Sequence, residues 1–487
     1  MEEQNRFSNS TVDSPKGDTI KVDQGQPLSA QFVLPRGWEK RKEALPAITM
    51  EEIAGEENLK RAFKKVKANR GAPGYDGKTV EDVEKQLGEI VPKISQALLT
   101  GTYLPGVIRR VWIPKSGGGQ RGLGIPDVVD RMVQQAMLEI MSPHYEPDFH
   151  PSSHGFRPGK SCHTALAEAK TYVEEGYDWV VDIDLEKYFD QVNHQRLLSR
   201  LEIKVFDKRV IKLIRSLLKA SVAMPDGVVV STKEGVPQGG PLSCLLSNIV
   251  LDELDWELHA RSHRFVRYAD DQNIYVRSER AGLRVMESVQ RFIEKRLRLK
   301  INATKSAVAK TEERHFLGFR LERNPLDGEV SVRLSKRSKK RIDEKIREKT
   351  PRNWGQSLNQ CIGKLNEYLT GWSQFFRICS EKELTTFETL DAHIRRRLRA
   401  LILKQWKRKR FVARRLVRLG VRQKTAWDGV YRGRQSRWAL SHNPAVERGL
   451  RNAYFAERGL VSIAVSWERL NPKTVVTVPV QLSLDLG

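Results

Sequence analysis

The sequence predicts an α+β fold in two parts. Strand hairpins alternate with helices as far as about residue 335, and a mostly helical remainder follows. Three observations carry this reading. Short apolar runs recur at 107–125, 178–185, 262–277 and 314–335, beside turn formers such as Gly117-Gly-Gly119 and Asn324-Pro-Leu-Asp-Gly328. Beyond 336, Leu358, Ile362, Leu365, Leu369, Trp372 and Phe376 step by four and three, the apolar stripe of one helix. The charge is also lopsided: residues 331–420 hold 25 basic and 8 acidic side chains, whereas 1–50 hold 7 of each.

The chain has 487 residues, a mass of 55.8 kDa, a formal charge of +25 and a pI near 9.9. Hydrophobic residues at 39% and charged residues at 30% exclude a wholly disordered chain and a membrane-embedded one. No apolar run approaches the ~18 residues that a spanning helix needs, and the N-terminus lacks the basic-then-apolar plan of a secretory signal. Cys162, Cys244, Cys361 and Cys379 form no CxxC pair, so they read as reduced thiols. Concentrated positive charge points to a polyanion, with nucleic acid first.

Residues 1–49 are polar and aperiodic and read as a mostly disordered leader. A helical pattern starts at Met50, and Asn69-Arg-Gly-Ala-Pro-Gly-Tyr-Asp-Gly77 is a shaped loop. Residues 107–125 form a hairpin; 127–147 and 161–176 are helical. A strand at 178–185, a helix opening near Pro241, a hairpin at 262–277, a helix at about 280–298 and a hairpin at 314–335 follow.

The chemistry gathers in two strands. In Trp179-Val-Val-Asp-Ile-Asp-Leu185, Val181, Ile183 and Leu185 share one face, and Asp182 and Asp184 the other. Carboxylates on so apolar a strand call for a cation. In Phe265-Val-Arg-Tyr-Ala-Asp270-Asp271-Gln-Asn-Ile-Tyr-Val276, two apolar runs flank an Asp-Asp pair. An Asp-Asp turn alone is unremarkable. Paired with a second Asp-bearing strand, it suggests two Mg²⁺ ions about 3.5–4 Å apart, one activating a hydroxyl and one neutralising a triphosphate.

Tyr268-Ala-Asp-Asp271 resembles the signature of reverse transcriptases, and Asp184 followed by Phe189 resembles their first catalytic motif. Further blocks resemble, in order, those of bacterial group II intron reverse transcriptase/maturases. They are Asn69-Arg-Gly-Ala-Pro-Gly74, Ile113-Pro-Lys115, Arg121-Gly-Leu-Gly-Ile-Pro126, Asp130-Arg131, His154-Gly-Phe-Arg-Pro158, Gly235-Val-Pro-Gln-Gly-Gly-Pro-Leu-Ser243 and Phe316-Leu-Gly-Phe319. The family pattern has Pro where Cys244 stands. The resemblance covers roughly 50–460. It implies a right-hand polymerase, with fingers and palm at 50–335 built on an antiparallel palm sheet. An α-helical thumb/maturase domain at 336–420 and an appendage at 421–487 that touches DNA complete the expected order.

By that resemblance Asp184, Asp270 and Asp271 are the catalytic metal ligands, for Mg²⁺ or substituting Mn²⁺, and Asp182 is supportive. Arg109, Lys115 and Arg121 would close on the triphosphate, and Gln238 would approach the nascent base pair. Phe189 would reject ribonucleotides by crowding the 2′-position, or else be one more core aromatic. Lys305 would protonate the leaving pyrophosphate, or else touch a backbone phosphate. His154 and His163 lack spaced Cys or His partners for a metal and read as residues of packing or polar contacts. Arg395, Arg396, Arg397, Arg399, Lys404, Lys407, Arg408, Lys409 and Arg410 surround an apolar face of Ile394, Leu398, Leu401 and Ile402 and would grip RNA phosphates. Trp372, Phe375 and Trp406 read as core.

The implied function is RNA-directed DNA polymerisation on an RNA template with a DNA primer and dNTPs. The protein would also bind its group II intron RNA, promote splicing and copy the intron into target DNA during retrohoming. No HNH-type cluster of His and paired Cys follows, which resembles the lineages called class C and implies a primer from elsewhere. The expected setting is the bacterial cytoplasm, at the nucleoid when acting on DNA and away from membranes. Two alternatives remain at this point: a domesticated enzyme of this kind in defence or repair, and a noncatalytic RNA-binding splicing factor.

Overall fold

The computed structural model describes residues 46–114, 118–351, 355–432 and 436–472. Almost all of the expected leader, and Lys115, lie outside them. The chain divides into two compact units, the first running to Ala169 and resuming over Trp179–Val308, the second comprising Lys170–Asp178 and Ala309 onward. Among the described residues no helix is long and apolar enough to cross a membrane.

The first unit opens with a short helix at Met50–Ala54, and helix α1 (Glu56–Ala68) follows, with Glu56 and Glu57 in its first turn and Lys65 and Lys67 in its last, matching the helix dipole. Its apolar side (Leu59, Phe63, Val66) is buried, and Asn58 Nδ2 donates 3.2 Å to the Ala136 carbonyl of α2 (Val128–Tyr145). Strands β1 (Ile108–Pro114) and β2 (Gln120–Ile125) form the expected hairpin, with Ile113 opposite Arg121. Two short strands unforeseen in the sequence, β4 (Val222–Ala223) and β5 (Val229–Val230), extend it into a sheet of order β2-β1-β4-β5, β1 and β4 running parallel.

The second sheet carries the aspartates. Its order is β6-β7-β3-β8, from β3 (Trp179–Ile183), β6 (Arg264–Tyr268), β7 (Asp271–Val276) and β8 (Ala307–Lys310). The β6–β7 and β7–β3 pairs are antiparallel. Val181, Ile183 and Ile274 are buried in one core with Leu246, Ile249 and Val250 of α3 (Pro241–Ala260). That helix starts as read, with Pro241 in its first position after Gly240. Cys244 lies in the first turn and leaves the helix regular.

In the second unit, β9 (Phe319–Arg323) pairs with β10 (Val330–Leu334) across the Asn324–Gly328 turn. The sequence reading assigns this hairpin to the polymerase portion, but it clusters with the helices. Phe319 lies 5.6 Å from Phe375 and 5.0 Å from Phe376, and Val332 N donates 2.8 Å to Ser380 Oγ. The stripe on α4 (Leu358–Phe376) is buried as expected from Ile362 to Phe376. Trp372 meets Phe387 of α5 (Leu384–Gln405) edge-on at 5.9 Å.

Residues beyond 421, expected as an appendage, are built into this unit as far as they are described. Asp391 on α5 accepts from Ser462 Oγ at 2.6 Å and from the Ile463 and Ala464 amides at 2.9 and 3.1 Å, capping α6 (Ile463–Leu470). Trp467 Nε1 donates 3.0 Å to the Cys379 carbonyl. Asp391→Ala should therefore cost about 1–3 kcal/mol and release the 463–470 helix first. Limited proteolysis should show early cleavage there; an unchanged cleavage pattern would contradict this capping role.

Candidate active site

Strand register brings the aspartates together. The β3–β7 ladder ends with Ile183 opposite Gln272, so the next pair sets Asp184 against Asp271. In the β6–β7 hairpin Tyr268 pairs with Asp271, leaving Ala269-Asp270 as a two-residue turn. Asp270 therefore belongs to a turn, and the alternation that would point it away from Asp271 does not apply. Asp182 and Asn273 face each other one step back. With its amide nitrogen turned toward Asp182, Asn273 donates 3.2 Å to Asp182 Oδ1.

Ala269 has φ of +56°, a left-handed conformation that costs an L-residue roughly 1–2 kcal/mol. The surroundings enforce it. Arg267, wholly buried, donates from Nη1 to the Ala269 carbonyl and to Asn248 Oδ1 (both 2.9 Å), and from Nη2 to Ser153 Oγ at 2.7 Å. Its Nε and Nη2 also bond the buried Asp255 carboxylate, at 2.8 and 2.6 Å. Burial pulls the Arg267 pKa down, but the charge and hydrogen bonds of Asp255 outweigh it, and the net shift is upward. Asn248 Nδ2 completes the ring by donating 2.9 Å to the Gly155 carbonyl. Arg267, Asp255 and Asn248 escaped the sequence reading. A lone Arg inside an apolar strand was the available signal.

Asp184 is gripped from 302–306. Its amide donates 2.9 Å to Ser306 Oγ, its carbonyl accepts 2.8 Å from Asn302 N, and its carboxylate lies 3.3 Å from Lys305 Nζ. Asp270 is raised above the usual carboxylate range, first by burial and then by the charge of Asp184, with Arg121 and Arg267 opposing. Asp271 keeps surface open to solvent but sits in a recess crowded by protein, and that desolvation is the larger effect. Desolvation, then Asp270, Asp182 and Asp184, push it to about 8.

Among the described residues no set of three or more His, Cys, Asp or Glu side chains closes on a point that could hold a metal by itself. The donor chemistry still fits a hard divalent cation. Such ions take one or two carboxylates and draw further oxygens from substrate phosphates and water. The crowded carboxyls, together with an ammonium group resting on Asp184, mark where positive charge is favoured.

Two family models match the chain. Residues 113–321 match the family model for reverse transcriptase (RNA-dependent DNA polymerase), and residues 339–420 match that for the group II intron maturase-specific domain. Protein YkfC of Escherichia coli (strain K12) is 33% identical over 339 residues, covering 61% of this chain and 86% of that one. The chain belongs to the group II intron reverse transcriptase/maturase family. The group II intron-encoded protein LtrA of Lactococcus lactis subsp. cremoris is 39% identical over 197 residues, 40% of this chain and 32% of LtrA, so the match spans about a third of that relative. A solved structure titled "Partial Cas6-RT-Cas1--Cas2 complex" aligns at 23% identity and a TM-score of 0.33 over 50% of this chain and 42% of that one.

The enzyme class is thus RNA-directed DNA polymerase, a class that uses divalent metal ions. In this reverse transcriptase Arg121 is exposed on β2 and its charge acts on both Asp270 and Asp271. Arg109 shares its face of the hairpin, nearer Arg131. The Gln238 carbonyl accepts 2.7 Å from Gly124 N, so its loop is fastened to β2. A Cβ at Gly239 (φ +121°) would lie 2.3 Å from the Gly124 carbonyl, so only glycine permits that approach. Phe189 is half-buried, edge-on to the buried Tyr188 at 5.2 Å. His154 is buried and makes polar contacts, with Thr164 Oγ1 (2.9 Å) and Glu168 (2.7 Å).

In the maturase-type domain, Lys407, Arg408, Lys409 and Arg410 are exposed, and Arg395, Arg396 and Lys404 are half-buried. Arg396 lies over the Trp438 ring at 4.2 Å. Two expected RNA contacts are engaged within the protein. Arg399 is buried, with Nε donating 3.0 Å to the Leu450 carbonyl and Nη1 3.1 Å from Glu447. Arg397 donates to Thr350 Oγ1 at 2.6 Å and to the Thr350 carbonyl at 2.7 Å. Facing the protein rather than solvent, Arg399 serves the packing of its own unit.

Two outcomes follow from this geometry. Asp255→Ala leaves a buried guanidinium uncompensated and should cost about 3–5 kcal/mol in denaturant unfolding; a cost below ~1 kcal/mol would contradict the network. A carboxyl whose folded pKa exceeds its unfolded value keeps a proton the unfolded chain has lost. Metal-free stability should therefore fall as pH rises from about 4 to about 8. A divalent ion competes with that proton, so the thermal shift on adding Mn²⁺ should grow over the same window and shrink in Asp271→Asn. An equal shift in that variant would exclude Asp271 from the ion site.

Proposed function

We propose that this protein copies RNA into DNA at a centre formed by Asp184, Asp270 and Asp271, with Mg²⁺ as its metal, and that it assists splicing of the group II intron it binds. The observation that carries the reading is the register that sets Asp184 against Asp271 beside the Asp270 turn. Bound Mg²⁺, or Mn²⁺ in its place, would supply activation of the primer 3′-hydroxyl and charge neutralisation of the triphosphate.

The chain's own groups would do the rest. Arg121, with Arg109 of the same hairpin and with Lys115, would bind the dNTP triphosphate and offset its charge. Phe189 would crowd the sugar 2′-position, and the Gln238 loop would lie against the nascent pair. Lys305, now on Asp184, would turn to the leaving pyrophosphate once that carboxylate takes a metal ion. In the helical unit, Lys407 to Arg410 would bind intron phosphates, with Arg395, Arg396 and Lys404 flanking. Residues beyond 421 would contact DNA. The ribonucleoprotein would then insert its RNA into target DNA and copy it there, in the bacterial cytoplasm at the nucleoid.

Primer extension on an RNA template with Mg²⁺ and dNTPs tests the centre. Asp270→Ala should lower single-turnover incorporation by about 10²–10³-fold or more, and Phe189→Ala should admit rNTPs. Equal extension by wild type and Asp270→Ala would overturn the site assignment, and unchanged sugar discrimination in Phe189→Ala would overturn the gate.

A further inference from the structure

The segment around His154-Gly-Phe-Arg-Pro158 has no chemical task in this reading, yet it is built directly onto the catalytic turn. Ser153 bridges Arg267 in parallel: Arg267 N donates 2.9 Å to the Ser152 carbonyl, and His154 N donates 2.8 Å to the Arg267 carbonyl. Two residues on in each segment, a Cβ at Gly155 would lie 2.1 Å from the Ala269 nitrogen, so the two backbones touch. Phe156 follows directly on that contact in one chain segment, as Asp270 follows directly on Ala269 in the other.

Phe156 is 40% exposed and has φ of +59°. A single exposed aromatic needs no explanation; a bulky residue in left-handed backbone does. Its neighbours leave it no freedom to relax. Arg157 is tied to Glu146 Oε1 (2.7 Å) and to the His150 and Ser153 carbonyls (2.6 and 2.9 Å), and it lies over the Phe149 ring at 5.4 Å. Glycine would suit this backbone better, and a polar side chain would suit the solvent. Unfavourable conformations held rigidly beside a reaction centre are characteristic of contact sites.

We propose that Phe156 is a fixed platform for nucleic acid at the polymerase centre, its ring taking the flat face of a nucleobase at the end of the primer–template duplex. The inference rests on the reading of Asp184, Asp270 and Asp271 given above. Every base has an apolar face, so this contact is indifferent to sequence, as an enzyme that copies arbitrary templates requires. The rigid backbone holds the ring in place before binding, which limits the entropy lost on contact.

The test uses the full chain and an RNA-template/DNA-primer duplex carrying 2-aminopurine either at the primer 3′ end or at the first templating position. Phe156→Gly should melt at or above the wild-type temperature, because it relieves the left-handed residue. It should bind the duplex roughly tenfold more weakly, and it should change 2-aminopurine fluorescence at the position the ring covers, which identifies the strand. Phe156→Trp should restore affinity. Phe156→Asn, which also tolerates this backbone, should bind as weakly as the glycine variant. Wild-type affinity in Phe156→Gly and Phe156→Asn, whatever their melting temperatures, would overturn the platform. Failure of the wild-type protein to extend a primer would instead overturn the polymerase centre, while the affinity comparison still reads out Phe156.

Discussion

A guanidinium shut away from water lies beneath the turn that carries Asp270. Arg267 joins the turn carbonyl, the helix residues Asn248 and Asp255, and Ser153 of the neighbouring loop, so three separate elements must agree before it is satisfied. A buried ion pair of this kind contributes little net stability compared with an apolar replacement. Its value is positional: once Arg267 is buried, every alternative arrangement of the turn leaves a charge or a polar group unpaired. The left-handed Ala269 and the close approach of Gly155 follow from that requirement.

The anchored turn makes a second, opposite arrangement tolerable. Asp270 and Asp271 are brought up to Asp184 where hydration is poor, and each raises the cost of ionising the next. The charge of Arg121, and of Lys305 beside Asp184, softens the repulsion. The site is therefore poised for added positive charge. Substrate phosphates would supply the oxygen ligands that the protein alone does not gather.

What was legible in the sequence was whatever short-range pattern encodes. Alternation in Trp179–Leu185 named the face bearing Asp182 and Asp184, and the paired apolar runs around Asp270-Asp271 named the hairpin. The four-and-three stripe from Leu358 named a buried helix. Long-range partners were not legible. Asn302 and Ser306, which fix Asp184, lie more than a hundred residues away, and Asp255 looked like any helix carboxylate until its partner was seen. Two-residue strands such as β4 and β5 are too short to show a period. Arg399 looked identical to its charged neighbours because periodicity records which residues are apolar and says nothing of which cation turns inward. Likewise the Phe319–Leu334 hairpin reads as a strand pair in any setting; its contacts with Phe375, Phe376 and Ser380 assign it to the helical unit.

The most direct measurement is anomalous diffraction from crystals of the full chain bound to primer–template and a dNTP with Mn²⁺. The account predicts manganese between the Asp184 carboxylate and the Asp270-Asp271 pair, with Lys305 displaced from Asp184. Manganese bound elsewhere, with Lys305 still resting on Asp184, would contradict it.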